Sequence, residues 1–401
     1  MKSELLAPAG NLEKLKTAFL YGADAVYVGG KKFSLRSFAD NFTLPELEEG
    51  VTYAHARGKR VYVAVNIYAR NADLGELKEY FCALERAGAD GAIVSDAGVI
   101  ALAKKAAPRL ALHLSTQANT TNKYAVKFWA EQGVSRVVLA RELSVREIGE
   151  IRDYCPETEL EAFVHGAMCI SYSGRCLLSD YLGNRCSNRG ECVQACRWEY
   201  ALTPILPERE NAPLSVCEDG RGTYILNSKD LNLLAHLGEL EDAGVDSFKI
   251  EGRMKSRYYL ATVVNAYRRA LNGEDERTCA EELENVAHRA YTTAYAFGAN
   301  PHTVSYENSQ TKGRAEYIAD VLGWENGRAA VQMRNRFFAG EELEVLSAGE
   351  NFRKTVRVES LRDPKGEDTR DARFVQGRYT FESPIELKAG EILRRKETRE
   401  K

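Results

Sequence analysis

The 401-residue sequence predicts an α/β chain: a (β/α)8, TIM-like barrel with a cysteine-rich insertion after its seventh strand, then a small C-terminal all-β barrel domain. Three observations predict it. Short runs rich in β-branched residues alternate with amphipathic segments of helical length as far as about residue 270, the pattern of βαβ units on a parallel sheet. One phrase recurs where a helix hands over to a strand: Gly22-Ala23-Asp24, Gly88-Ala89-Asp90, Gly133-Val134-Ser135 and Gly244-Val245-Asp246. From about residue 315 the texture changes to short alternating runs divided by turn residues, as in small β barrels.

The strands are expected at 4–9, 25–29, 60–66, 91–95, 110–115, 136–140, 160–165 and 247–251. The glycine of each joint supplies the left-handed conformation that stops a helix. No glycine-rich dinucleotide fingerprint follows strand one, which ranks a barrel above an open doubly wound sheet. About 80 residues separate strands seven and eight, too many for one βα unit, so an insertion must lie there. Residues 280–298 read as a further helix, and a polar connection follows. In the β domain, Glu325-Asn326-Gly327 and Asp363-Pro364-Lys365-Gly366 read as turns. The expected organisation is a barrel domain over 1–300, its insertion at about 166–246, and a β domain over 315–401.

Composition narrows the class. Hydrophobic content of 44%, charged content of 28% and a net charge of −3 describe an ordinary globular chain, not a strongly basic nucleic-acid binder. No run of eighteen apolar residues exists, so no membrane span is expected. The opening MKSELLAPAG lacks the apolar core of a secretory signal. The expectation is a cytoplasmic protein with reduced thiols.

Five of the nine cysteines fall between Cys169 and Cys196. Cys169, Cys176, Cys192 and Cys196 are spaced C-x6-C-x15-C-x3-C, with Cys186 between the second and third. Structural zinc sites use close pairs, and only the last pair here is close. Thiolates spread through an irregular loop suit an iron–sulfur cluster, with zinc the second choice. Gly174, Gly183 and Gly190 give the loop room to bend. The alternative is packing as small hydrophobes, which suits isolated Cys82, Cys155 and Cys279 but not a polar, arginine-rich loop.

A barrel collects its chemistry just past the strand ends. That rule selects Arg36, Asn66, Ser115, Gln117, Arg141, Glu142 and His165 as candidates. The segment Lys249-Ile250-Glu251-Gly252-Arg253-Met254-Lys255 closes strand eight. Its three cations suit a phosphate or a small dicarboxylate, with Arg253 as a bidentate clamp. Solvated loop polarity is the competing reading for each. His165 fits a proton shuttle or a backbone-bonded core histidine. Arg175, Arg185, Arg189 and Arg197 suit RNA phosphates or cluster charge, and Tyr172, Tyr181 and Trp198 suit base stacking. The β domain is charge-balanced, 19 Lys+Arg against 18 Asp+Glu over 301–401.

The segment EAFVHGAMCISYSGRCLLSDYLGNR resembles the signature of the collagenase-like peptidase family numbered thirty-two. ELLAPAGNLEKLKTAFLYGADAVYVGGKKFSLRSFADNFT, NSKDLNLL, FKIEGRMKSRYYLATVVNAYR, NSQT at 308–311 and NRFFAGEELEVL are similar to it too. The resemblance thus spans nearly the whole chain. It implies RNA hydroxylation, most closely prephenate-dependent formation of 5-hydroxyuridine at the tRNA wobble position. It implies a 4Fe–4S cluster on Cys169, Cys176, Cys192 and Cys196, and leaves room for a partner protein of the same family. Other branches act on a ribosomal RNA cytidine or on ubiquinone precursors; the second resembles only the first domain. The strand-end rule, not the resemblance, assigns the rim: catalytic roles are expected for His165, Glu251, Arg141 and Glu142. Substrate binding falls to Arg36, Asn66, Ser115, Gln117, Lys249, Arg253 and Lys255. Peptidase activity and a non-enzymatic cluster scaffold are the other readings; no HExxH or GxSxG motif is present.

Overall fold

The computed structural model describes residues 3–36, 39–172, 175–198, 218–219, 222–223, 227–298, 311 and 313–396. Gly174 and residues 308–310 of the Asn-Ser-Gln-Thr stretch lie outside the described residues. Two compact units make up the chain. One holds Met1–Phe19, Ala23–Lys255 and Arg289–Thr311; the other holds Leu20–Gly22, Ser256–His288 and Lys312–Lys401.

The first unit is a closed barrel. Its strands are β1 (Glu4–Pro8), β2 (Ala25–Gly29), β3 (Arg60–Val65), β4 (Gly91–Val94), β5 (Ala111–Leu114), β6 (Arg136–Val138), β7 (Glu159–Ala167) and β8 (Ser247–Ile250). Neighbours pair in parallel from β1 through β7, and β8 pairs with both β7 and β1, which closes the ring. All eight expected strands are present. The four joint glycines, Gly22, Gly88, Gly133 and Gly244, all have positive φ, between 76° and 107°. Helix starts are capped by short oxygen-bearing side chains: Thr43 and Ser144 in capping boxes with Glu46 and Glu147, and Asp96 and Asn122 as simple caps.

The expected helix over 280–298 is corrected. The helix runs Glu276–Leu283 only, and Tyr291–Thr292 is a short strand beside Asp230–Asn232. Asp230–Asn232 in turn lies antiparallel to the end of β7. The buried Asp230 carboxylate accepts from the Arg289 backbone N–H at 3.1 Å and pairs with the Arg289 guanidinium. That tertiary pairing overrides the helical pattern.

The inside of the barrel is charged. Glu161 on β7, wholly buried, takes Lys249 Nζ of β8 at 2.6 Å and Arg136 Nη1 of β6 at 3.2 Å. Arg136 also meets Glu4 of β1 at 2.6 Å. Glu4 accepts from Tyr62 Oη and Ser247 Oγ. Burial and the cation of Arg136 push the neighbouring His113 imidazole down to about 3.

In the second unit an antiparallel, barrel-like sheet of seven strands encloses Ile318, Val331, Phe337, Leu343, Phe381 and Leu393. The expected turn at Asn326-Gly327 has φ of 49° and 79°, the two-residue hairpin geometry. Glu282, from the helix before the sheet, receives Arg394 Nη2 at 2.9 Å, and both side chains are fully buried. No described helix is long and apolar enough to cross a membrane.

Two expected outcomes follow from these buried charges. The folded chain keeps His113 neutral down to about pH 3, whereas an unfolded histidine takes its proton near pH 6.5. Stability is therefore lost as pH falls through that window, by about 1.4 kcal/mol per pH unit from this group. His113→Phe should flatten the dependence of the urea midpoint on pH between 6 and 4. Glu282→Ala should destabilise the second unit by about 3–5 kcal/mol, because Arg394 is left buried without that partner; denaturant titration followed through Trp324 fluorescence measures it.

Candidate active site

The residues just past the strand ends converge on one cavity of about 160 Å³ at the C-terminal face of the barrel. Leu35 and Arg36 arrive after β2, Asn66 after β3, Ser115 and Gln117 after β5, Arg141 after β6, and Glu251 and Arg253 after β8. Inward side chains of the strands, among them Tyr27, Ile93, Phe163 and Lys249, also line it.

The cysteine segment supplies the remaining wall. Cys169, Cys176, Cys192 and Cys196 all line the cavity, whereas Cys186 does not. The loop is held by small contacts: Ser187 Oγ and Asn188 Nδ2 donate to Cys176 O at 2.9 and 3.2 Å, and Ser179 Oγ accepts from Val193 N. Arg189 anchors it to the loop after β3 through a two-pronged contact with Asp73, at 2.8 and 3.1 Å, and a bond to Tyr68 O. Burial pushes the Cys196 thiol up against the pull of Arg197, and Cys169, Cys192 and Cys176 add to the rise. Among the described residues, no three His, Cys, Asp or Glu side chains are grouped as around a single metal ion. Cys82, Cys155 and Cys279 stand apart from the cavity.

The exit of β8 carries the charged groups. Glu251 Oε2 lies 3.1 Å from Tyr27 Oη, and Oε1 lies 3.4 Å from Arg36 Nη2. Burial alone would raise the Glu251 carboxyl; Arg36, Arg141, the Tyr27 hydroxyl and Arg253 together hold it below the ordinary range. Arg253 is only 3% exposed, and among the described residues its side-chain hydrogen bond is to Ser34 Oγ at 3.4 Å. Burial pushes its guanidinium down to about 10. Three buried N–H groups on this wall find no acceptor: Arg253 Nε, Arg141 Nε and Gln117 Nε2. A buried donor without an acceptor costs about 1–3 kcal/mol. Asn66 and Ser115 instead serve each other, Nδ2 to Oγ at 3.3 Å.

The backbone makes room for this crossing. A Cβ at Gly29 would meet Arg253 Nη1 at 2.3 Å, and one at Gly166, where φ is +109°, would meet Glu251 O at 2.5 Å.

Three sequence candidates do not line the cavity. His165 packs its ring 5.6 Å from Tyr291, because the Asp230–Asn232 strand covers the end of β7. Glu142 lies on a separate shallow pocket with Ser144 and Glu147, and burial raises its carboxyl. Lys255 is half-buried in the turn before the next helix, where burial lowers its ammonium. Lys249 is on the wall, yet it is committed to Glu161. Among the described residues, no histidine lines the cavity. Tyr27, Asp73 and Ser179 were not among the sequence candidates. Only the period-two alternation of Ala-Val-Tyr-Val-Gly points Tyr27 inward.

The profile of peptidase family U32 matches residues 10–305, and that of the peptidase family U32 C-terminal domain matches residues 314–394. The chain is similar to tRNA hydroxylation protein P1 of Bacillus subtilis (strain 168), 42% identical, covering 93% of this chain and 90% of that protein. Against tRNA hydroxylation protein P of Escherichia coli (strain K12) the identity is 39%, over 91% and 90%. The 23S rRNA 5-hydroxycytidine C2501 synthase of the same organism is 37% identical over 67% of this chain and 39% of that protein.

Gly29→Ala should displace the Arg253 guanidinium and cost about 1–3 kcal/mol of stability. Gly149→Ala, at a helical site with open space around it, should instead raise stability by about 0.5–1 kcal/mol. Thermal melts of the two variants test the contrast.

Proposed function

The chain belongs to peptidase family U32, and from that premise we propose that it hydroxylates RNA, forming 5-hydroxyuridine at the tRNA wobble position with prephenate as co-substrate. The observation that carries the reading is the meeting of two chemistries around one cavity: four thiols, and three residues with buried donors that lack acceptors. The relatives' names, for hydroxylation of tRNA and for synthesis of a ribosomal 5-hydroxycytidine, support the RNA assignment.

The thiol set fits an iron–sulfur cluster by donor type: soft sulfur without imidazole, on an irregular loop that converges on one cavity. Cys169, Cys176, Cys192 and Cys196 would hold it. Bound there, it supplies one-electron redox chemistry. Zinc is the second choice for the same thiols.

The chain's own residues have separable tasks. Arg253, Arg141 and Gln117, which line the cavity, bind a carboxylate of the co-substrate. Glu251, kept ionised by Arg36 and Arg141, accepts a hydrogen bond from a hydroxyl of the bound ligand or from Tyr27. Lys249 holds positive charge beneath them. The uridine is presented from a loop where bases can splay. Proteolysis gains no support from the cavity, where no described histidine stands beside a thiol to activate it.

Protein purified without oxygen should be brown and carry about four iron and four sulfide per chain. Alanine at Cys169, Cys176, Cys192 or Cys196 should abolish both, and Cys186→Ala should keep them. Transfer RNA from a deletion strain should lack 5-hydroxyuridine. Colourless, iron-poor protein would overturn the cluster; normal modification in a strain without a paralogue would overturn the RNA reading.

A further inference from the structure

The second unit, taken over its whole sequence, is close to charge-neutral, but its charges are not evenly placed. Two of its loops are laced together. Met333 N donates to Gly377 O at 3.0 Å, Gln376 N to Met333 O at 3.0 Å, and Ala339 N to Arg370 O at 2.9 Å. Between these bonds, Phe337–Phe338 pairs with Asp371–Ala372. The hydroxyl of Tyr379 accepts from the N–H groups of both Arg373 and Phe374, which fixes the turn that follows.

The paired loops expose Arg370, Arg373 and Arg378 to solvent. None of the three forms an ion pair with a described residue. The carboxylates around them are already taken: Asp371 by Arg336, Asp368 by Arg362, Glu341 by Arg395 and Glu382 by Arg328. Three positive charges are therefore uncompensated on one small region. Large apolar side chains stand among them. Phe374 is 55% exposed, Val375 70% and Phe338 44%. The Arg373 guanidinium lies 5.3 Å from the Phe374 ring centre, and Arg336 lies 5.0 Å from that of Phe338.

We propose that this surface binds single-stranded RNA, with Arg370, Arg373 and Arg378 on phosphates and Phe374 and Phe338 stacked on unpaired bases. The inference rests on the RNA reading above and assigns it a second contact region, remote in sequence from the cavity residues. Guanidiniums beside exposed rings are the combination that meets a charged backbone and flat bases at once. An acidic protein face would use the cations but would have no flat partner for rings placed beside them.

The test uses the full chain and a fluorescein-labelled single-stranded RNA of about twelve nucleotides, with anisotropy read across a salt series. The triple variant R370A/R373A/R378A should bind at least about tenfold more weakly at low salt. Its log–log salt slope should fall by about 2, three contacts at roughly 0.7 each. Phe374→Ala should weaken binding about tenfold and leave the slope unchanged. Arg146→Ala removes a cation that is exposed elsewhere and paired with Glu150, and should bind as the parent does. Unaltered melting curves establish that each variant is folded. Equal affinity and slope for parent and triple variant would overturn this surface and leave the RNA reading standing. An equal loss with Arg146→Ala would reduce the effect to bulk charge and overturn it too. Retained RNA affinity with lost binding to polyglutamate would overturn it in favour of an acidic protein. A parent chain that binds no RNA would overturn both proposals.

Discussion

The barrel is organised around one carboxylate that water does not reach. Glu161 sits on β7 and binds cations from the strands on either side, Lys249 of β8 and Arg136 of β6. Arg136 carries the linkage to Glu4 on β1, and Glu4 carries it to Ser247 and Tyr62. The seam where the sheet closes is thereby tied by ions as well as by backbone pairing. Such groups tolerate no half-measures, because a lone buried charge is far more costly than a matched pair. They also specify register. A one-residue slip of β8 against β7 would turn Lys249 to the outer face and strand Glu161 inside.

That seam has a consequence for the cavity. Lys249 contributes charge to the wall while its own hydrogen bonding is committed beneath, so it sets the local field without closing on a ligand. Arg253, four residues on, is the opposite case. It is buried as deeply, but its only side-chain hydrogen bond among the described residues is a long one to Ser34, and the backbone is cut back to glycine at position 29 to admit it. Of the two cations at this strand end, Lys249 is committed to Glu161, and Arg253 is the one proposed to meet the co-substrate.

Much of this was legible in the chain. The eight strands followed from β-branched runs, and the joint glycines from the need to end each helix in a left-handed residue. The convergence of Arg36, Asn66, Gln117, Arg141, Glu251 and the four cysteines followed from the rule that barrel chemistry gathers past the strand ends. The failures have a common physical source, which is pairing across long sequence separations. His165 was placed at the rim because it closes a strand, but residues 230–232 return to cover that strand end. The helix over 280–298 was broken for the same reason, by the bond between Asp230 and Arg289. Nor does periodicity reveal that Arg189 is spent on Asp73, fastening the cysteine loop to the barrel.

Tyr21 has a sequel in how the molecule is made. Its buried hydroxyl meets the carbonyls of Leu346 and Gly390, 325 and 369 residues further on. A ribosome emits this tyrosine 325 and 369 residues ahead of its two acceptors. Until they emerge the phenol has no mate, and that corner of the protein cannot be sealed.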